Sequence, residues 1–581
     1  MKLYQSYISV VIALIAFSNV QAQVEEESEL NGGTITVVKP YDPTISDAFK
    51  VKSTPSVNDT TKVKKKPVTY SIFSVPVAST FTPAKGKLSR RKAPKRAKFF
   101  DNYARLGVGN YVNILGEFAG NFEIDRDSDV GVFFNHNSSQ GGIDDIAFDD
   151  DFSDTSLDIS YGKRNRDSNW GGITAGGRYQ TANWYGVAPV ALSSVPTGIE
   201  VDAGTSYLTI GLSGKAQFFD SVLEKVEVGL SNISSGNDGS ETRVRLQPQL
   251  AFEVLEEEIA LGVEVDYLTG SFDTQGSQPA PDAYSYLNIG ANPSINLYGD
   301  KYKVELGARL NYITDSENSE SNFYVYPDIN ASYILMEEKV IAYTVIGGGL
   351  DMNTLQNFAD ENVFIAPAIT VAPTNRQVDA QLGIKGKLSS NFGYKLYGGY
   401  SLEENRYFYT KDNNAIFTGI GVERPSYNYA NTFATQYGDL NTLTFGGSAS
   451  VDLNTQFNLT LNTQFMSYDV TNGDDFDNVA SQLPTFTADI VGNYDINDKW
   501  NIGTTLYFVG ERDVFRTGNT TATETLDSFI DLNLDINYKI NPKLTAFLRG
   551  HNLTGGNYQY YLDYPVQNLQ ILGGAVYKFD F

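Results

Sequence analysis

The chain has 581 residues, with 69 acidic side chains against 44 basic, a formal net charge of −25 and no cysteine. That balance excludes a nucleic-acid-binding surface, which needs basic patches, and the missing cysteine excludes disulfides and thiolate chemistry. Tyrosine (37), phenylalanine (34) and glycine (52) are abundant while mean hydropathy is −0.27, which excludes a bundle of apolar membrane helices.

In chain order, Lys2 precedes an apolar run, Ile8 to Phe17. A run of about ten residues is too short to cross a bilayer as a helix. Val20-Gln21-Ala22 supplies a small-residue cleavage site. Residues 1–22 are therefore expected to be a Sec signal peptide, with Gln23 as the mature start. Residues 23–100 are rich in Pro, Ser, Thr, Val and Lys, lack alternation, and end in a basic cluster from Lys85 to Lys98. This composition predicts an extended or partly disordered periplasmic extension. Its basic cluster reads either as a solvated tether or as a dock for anionic headgroups or an acidic partner.

From residue 101 to 581 the pattern has period two. Tyr302, Val304, Leu306, Ala308, Leu310 and Tyr312 fall on one face, and Lys303, Glu305, Gly307, Arg309 and Asn311 on the other. Ile530 to Ile540 and Leu443 to Leu453 repeat this alternation. A strand alternates its side chains between two faces, so each segment has one apolar and one wet face. Soluble sandwich strands run to about five or six residues, whereas strands that cross a bilayer need about 9–11. Only a closed sheet can cross, because an open edge would leave backbone groups unsatisfied in hydrocarbon. The predicted fold is thus all-β, a transmembrane antiparallel barrel.

Short turns are predicted near Asp127, Arg166, Asp220, Glu256, Asp300, Glu338, Ser390, Asn454, Asn497 and Asn541. Ten such turns, with both barrel ends on the same side, give 22 strands, or 20 if the first hairpin around Asn110-Tyr111 does not form. Longer polar loops are expected at 137–151, 183–203, 271–283, 351–376, 405–436, 470–483, 513–526 and 554–567. Phe99, Phe100, Tyr468, Trp500, Tyr507 and Phe508 sit at strand ends, where aromatic girdles form.

No enzyme constellation appears, and no cofactor is expected. The two histidines, His136 and His551, are far apart in sequence, and neither a nucleophile elbow nor a phosphate loop is present. Asp149, Asp150, Asp151 and Asp154 offer hard oxygen ligands for calcium, without the spacing of an EF-hand, or else form a solvated loop face. The Tyr- and Asn-rich stretch 405–436 suits either a glycan or protein contact or a loop folded over the bore.

The closing strand ends Tyr577, Phe579, Phe581, which resembles the signal read by the barrel-assembly machinery of outer membranes. Arg549, Asn552-Leu553, Tyr558 and Tyr564-Pro565 resemble the C-terminal end of TonB-dependent receptors, and the aromatic, acidic style resembles those of Bacteroidetes. The resemblance implies a 22-strand outer-membrane barrel bearing lipopolysaccharide around it, with a plug preceded by a TonB box. Thr34-Ile35-Thr36-Val37-Val38 resembles such a box, an extended β-branched segment able to pair with a sheet edge of TonB. The stretch between Val38 and the first barrel strand is shorter than the family's plug and lacks its glycine-rich motifs. A bore this wide needs filling: by that stretch, by folded-in loops or by a partner. The expected function is transport across the outer membrane. The alternatives are a plugless scaffold in a multiprotein assembly or secretion complex, and a passive porin.

Overall fold

The computed structural model describes residues 100–580, apart from 166–168, 189–202, 255–256, 274–280, 413–425, 474–477 and 518–520. The signal peptide, the extension and basic cluster through Phe99, the TonB-box candidate Thr34–Val38 and Phe581 lie outside the described residues.

The strands in chain order are β1 Asn102–Gly109, β2 Ile114–Asp125, β3 Ser128–Ser139, β4 Phe152–Arg164, β5 Trp170–Asn183, β6 Gly204–Gln217, β7 Leu223–Ser235 and β8 Gly239–Val254. Then follow β9 Glu257–Phe272, β10 Ala283–Tyr298, β11 Tyr302–Asp315, β12 Glu320–Met336, β13 Val340–Asp351, helix α1 Leu355–Glu361, β14 Thr374–Ser389, β15 Phe392–Asp412, β16 Phe433–Asn454 and β17 Phe457–Thr471. The last are β18 Phe486–Asp495, β19 Trp500–Val509, β20 Arg512–Thr517, β21 Ala522–Leu526, β22 Phe529–Lys539, β23 Leu544–His551, β24 Gln559–Tyr561, β25 Tyr564–Pro565 and β26 Gln570–Phe579.

Neighbours in sequence pair antiparallel around the ring, with β19 passing to β22 and β23 to β26. The ring closes where β1 pairs with β26, Asn102 opposite Phe579 and Gly109 opposite Leu572. The barrel has 22 strands. The two remaining pairs, β20–β21 and β24–β25, are hairpins within outer loops.

Eight of the ten predicted short turns fall at junctions between consecutive strands, while Arg166 and Glu256 lie outside the described residues; the start of β1 and the end of β26 lie at that same end. The first hairpin also forms, through residues 110–113. The reason is local: Tyr111 and Val112 adopt φ of 55° and 49°, a tight left-handed turn that the side chains do not advertise.

The alternation holds. Leu306 is 41% exposed, Ile210 57% and Phe445 57%, as outward side chains of a membrane barrel should be. Among the aromatics, Trp500 pairs with Tyr538 on the outer face. Tyr507 instead lies in register with Asp489 and Asp531, so it faces the bore. Tyr468 also turns inward and donates to the Pro484 carbonyl at 3.0 Å.

Candidate functional site

The inner wall is held by cross-strand ion pairs. Arg105 meets Glu117, Arg243 meets Asp266, Arg309 meets Asp328 and Arg549 meets Asp535, at 2.5 to 3.2 Å. Inside a water-filled lumen such pairs satisfy charges that the outer face could not carry.

The largest buried apolar cluster is not in the wall. It forms at the loop end, where the connection from β13 to β14, residues 352–373, folds into the mouth. Leu355, Phe358, Ile365, Ile369 and Val371 of this segment pack with Leu268 of β9, Tyr284 of β10, Ile313 of β11 and Phe433 of β16. Thr354 caps α1 by accepting from the Asn357 amide at 3.0 Å. The first-turn amides of Leu355 and Gln356, which have no acceptor within the helix, donate to the Glu241 carboxylate of β8 at 2.6 and 3.4 Å. The Tyr284 hydroxyl donates to the same carboxylate at 2.7 Å.

Further contacts carry the segment across the opening. On one arc Arg178 of β5 pairs with Asp360 at 2.6 Å, and the Tyr207 and Tyr286 hydroxyls donate to the Val363 and Val371 carbonyls. On the other arc Tyr407 and Tyr409 of β15 donate to the Glu361 carboxylate at 2.6 and 3.2 Å. Tyr437 of β16 donates to the Thr370 carbonyl, and the Ala366 amide to the Phe433 carbonyl. Tyr561, in the last outer loop, donates to the Glu361 carbonyl. A segment springing from β13 and β14 that touches β5, β8, β16 and the loop after β23 spans the mouth; we call it the lid.

The other outer loops knit around it. Strands β15 and β16 run 21 and 22 residues, about twice what a bilayer needs, so their upper halves stand clear of it. There Lys411, fully buried, donates to the Gly186 carbonyl at 2.8 Å and lies 4.8 and 4.6 Å from the Phe433 and Tyr564 ring centres. Asp563 sits 3.9 Å from it and is bound twice by Arg516, at 2.8 and 2.9 Å. A buried cation is tolerable only when met in this way. The Tyr564 hydroxyl donates to the Asn431 carbonyl.

Burial sets the protonation of lid groups. It pushes the Tyr561 and Tyr564 phenols up, so they stay protonated donors. It also raises the Asp360 carboxyl, more than the Arg178 guanidinium lowers it.

The predicted site residues are placed as follows. Tyr577 and Phe579 lie on the outer face with rings stacked at 5.8 Å. Of the acidic loop, Asp150 accepts from the Ile143 amide, Asp151 from the Asn183 side chain, and Asp154 pairs with Arg178. The four aspartates have separate partners or none, and among the described residues no group of His, Asp or Glu converges on a metal position. His136 contacts Thr155 and Ser138, and His551 contacts Asn533. Asn552, from the C-terminal motif, adopts φ 48° and donates to the Gly556 and Gln567 carbonyls, pinning both ends of the last outer loop. From the sequence the lid reads only as a polar loop. Its signal in the sequence is the apolar content of Phe364 to Val371, unusual for a solvated connection.

The architecture defines the class: a closed 22-strand barrel of the membrane-crossing kind, with its wide mouth roofed by its own loops. No family model and no curated protein matches the sequence. Solved structures do. The iron transporter FrpB of Neisseria meningitidis superposes with a TM-score of 0.62 at 9% identity, over 83% of this chain and 83% of that one. The ferric-catecholate import receptor Fiu of E. coli K12, in its closed form, gives 0.59 at 11% over 83% and 82%. The copper transporter OprC gives 0.57 at 13% over 83% and 81%. At such identities the likeness is one of fold.

Proposed function

We propose that this chain is an outer-membrane uptake barrel whose entry is gated by the lid 352–373 and whose energy comes from TonB through Thr34–Val38. The supporting observation is the lid. A bore of 22 strands is wide enough to leak, and across its mouth lies a segment of the chain held by a buried apolar cluster together with side-chain hydrogen bonds to several strands. A passive porin has no use for such a roof. The fold shared with iron and copper transporters and a ferric-catecholate receptor supports the same reading. Export by the signal peptide 1–22 and insertion through the assembly machinery, directed by Tyr577, Phe579 and Phe581, complete the proposal.

The test is retention of the full-length protein by the periplasmic domain of TonB. Wild type should be retained, and the double variant Ile35→Pro/Val37→Pro lost, because proline removes the backbone donors of strand addition. A wild-type chain that TonB does not retain overturns energised uptake. It leaves the scaffold reading, whose mark is native purification with a partner in fixed stoichiometry.

A further inference from the structure

We infer that the wall of β13–β15 carries a binding site for multivalent oxyanions of the phosphate type, built on Lys385, Lys387 and Lys395. The three lysines face the bore near the short-turn end, below the lid. Lys385 and Lys395 are direct cross-strand partners, and Lys387 is opposite Gly393. Like charges directly opposite in a sheet repel. Elsewhere on this wall Arg105, Arg178, Arg243, Arg309, Arg376 and Arg549 each meet a carboxylate. Among the described residues none of the three lysines has an ion pair.

The carboxylates around the patch do not neutralise it: Asp452 accepts from Asn458, Asp379 pairs with Arg376 and Asp489 accepts from Asn462, while Glu338, whose carbonyl accepts from the Lys387 amide at 2.8 Å, has no ion pair with any of the three lysines among the described residues. In a chain of net charge −25, an uncompensated basic patch is a departure that sheet stability does not explain.

Two rings hold the ammonium groups in place. Lys385 and Lys395 lie 5.2 and 5.3 Å from the Tyr343 ring centre, and Lys395 lies 4.9 Å from that of Tyr397. Those rings lie flat on the wall because Gly383 and Gly446 stand beneath them; a Cβ at either would collide with the ring. The phenols are fixed in turn, Tyr343 donating to Gln381 at 3.0 Å and Tyr397 accepting from Gln464 at 2.6 Å. Lysine ammonium groups are compact, strongly hydrated point charges with three donors each, the form suited to phosphate oxygens. A monoanion would meet one of them, whereas an oxyanion of two or more charges offsets the repulsion of the pair. The site stands on the wall geometry and does not depend on TonB-driven uptake.

The test is isothermal titration of the full-length protein in detergent with inorganic pyrophosphate, at low and at physiological salt. Wild type should bind saturably, more weakly as salt rises. Lys385→Gln/Lys395→Gln should bind at least tenfold more weakly, while Lys303→Gln, on another part of the wall, should match wild type. Without anion, Lys385→Gln should melt higher than wild type, and pyrophosphate should raise the melting temperature of wild type and Lys303→Gln but not of Lys385→Gln/Lys395→Gln. Folding of each variant is checked by its heat-modifiable gel mobility. No saturable binding in wild type, equal binding in the double variant, or a Lys385→Gln protein no more stable than wild type overturns the inference.

Discussion

Phe358 is the side chain on which the lid turns. It is 1% exposed, and its ring meets Tyr407 edge-on at 4.8 Å. Truncating a buried Phe to Ala costs about 3–5 kcal/mol. Here that loss falls on lid docking and not on the barrel ladder, whose strands it leaves paired. Phe358→Ala should therefore expose residues 352–373 to limited proteolysis while gel mobility of the folded barrel stays unchanged. Glu361→Ala removes the acceptor of the Tyr407 and Tyr409 hydroxyls. A stranded hydroxyl at the buried Tyr409 costs about 1–3 kcal/mol, so the same protection should weaken by a smaller step. Little of this was legible in the sequence. The partners of Phe358 and Glu361 come from β15, β16 and the last loop, and contacts so distant in sequence leave no periodic trace.

At the scale of elements, legibility depended on whether a rule of spacing applied. The inner turns were readable because a polar, turn-forming residue interrupts each period-two run. The stretch 405–436 reads as loop in the sequence, yet β15 continues to Asp412 and β16 begins at Phe433. There the strands rise out of the membrane and lose the alternation, since both faces of the upper halves are buried by the lid and loop hairpins. The lid is also where pH should act. Burial raises the Asp360 carboxyl above its ordinary value in the docked lid. The docked state thus holds its proton more tightly than the undocked one. Docking is favoured at pH below the ordinary carboxylate pKa and weakens as pH rises through the docked value. Amide exchange of residues 355–361, corrected for the intrinsic rate, should quicken from mildly acid to neutral pH. Asp360 is partly exposed, so the change is modest. Asp360→Asn should reduce it without abolishing it, because burial also raises the Glu241 carboxyl that accepts the Leu355 and Gln356 amides of the same helix.

For the whole molecule, the two-faced strand is the physical fact from which the barrel follows. Apolar residues at every second position can be satisfied by lipid outside while their neighbours pair across a wet bore. Outward Ile210→Arg should cost about 2–4 kcal/mol near the bilayer midplane, seen as a lower denaturant midpoint in vesicles. Inward Ser231→Glu, facing the bore opposite Arg243 in a recess of about 520 Å³, should cost far less. The same reasoning that made the barrel readable left its closure open, because a wide bore can be filled by several kinds of segment. The lid 352–373 answers that for the mouth. The most direct measurement is the conductance of the purified full-length protein in a planar bilayer, compared with the Phe358→Ala variant. Wild type should insert yet pass little current, and the variant should open in bursts. A steady, ohmic, nanosiemens-scale conductance from wild type, unchanged in the variant, would contradict a barrel closed by its own lid.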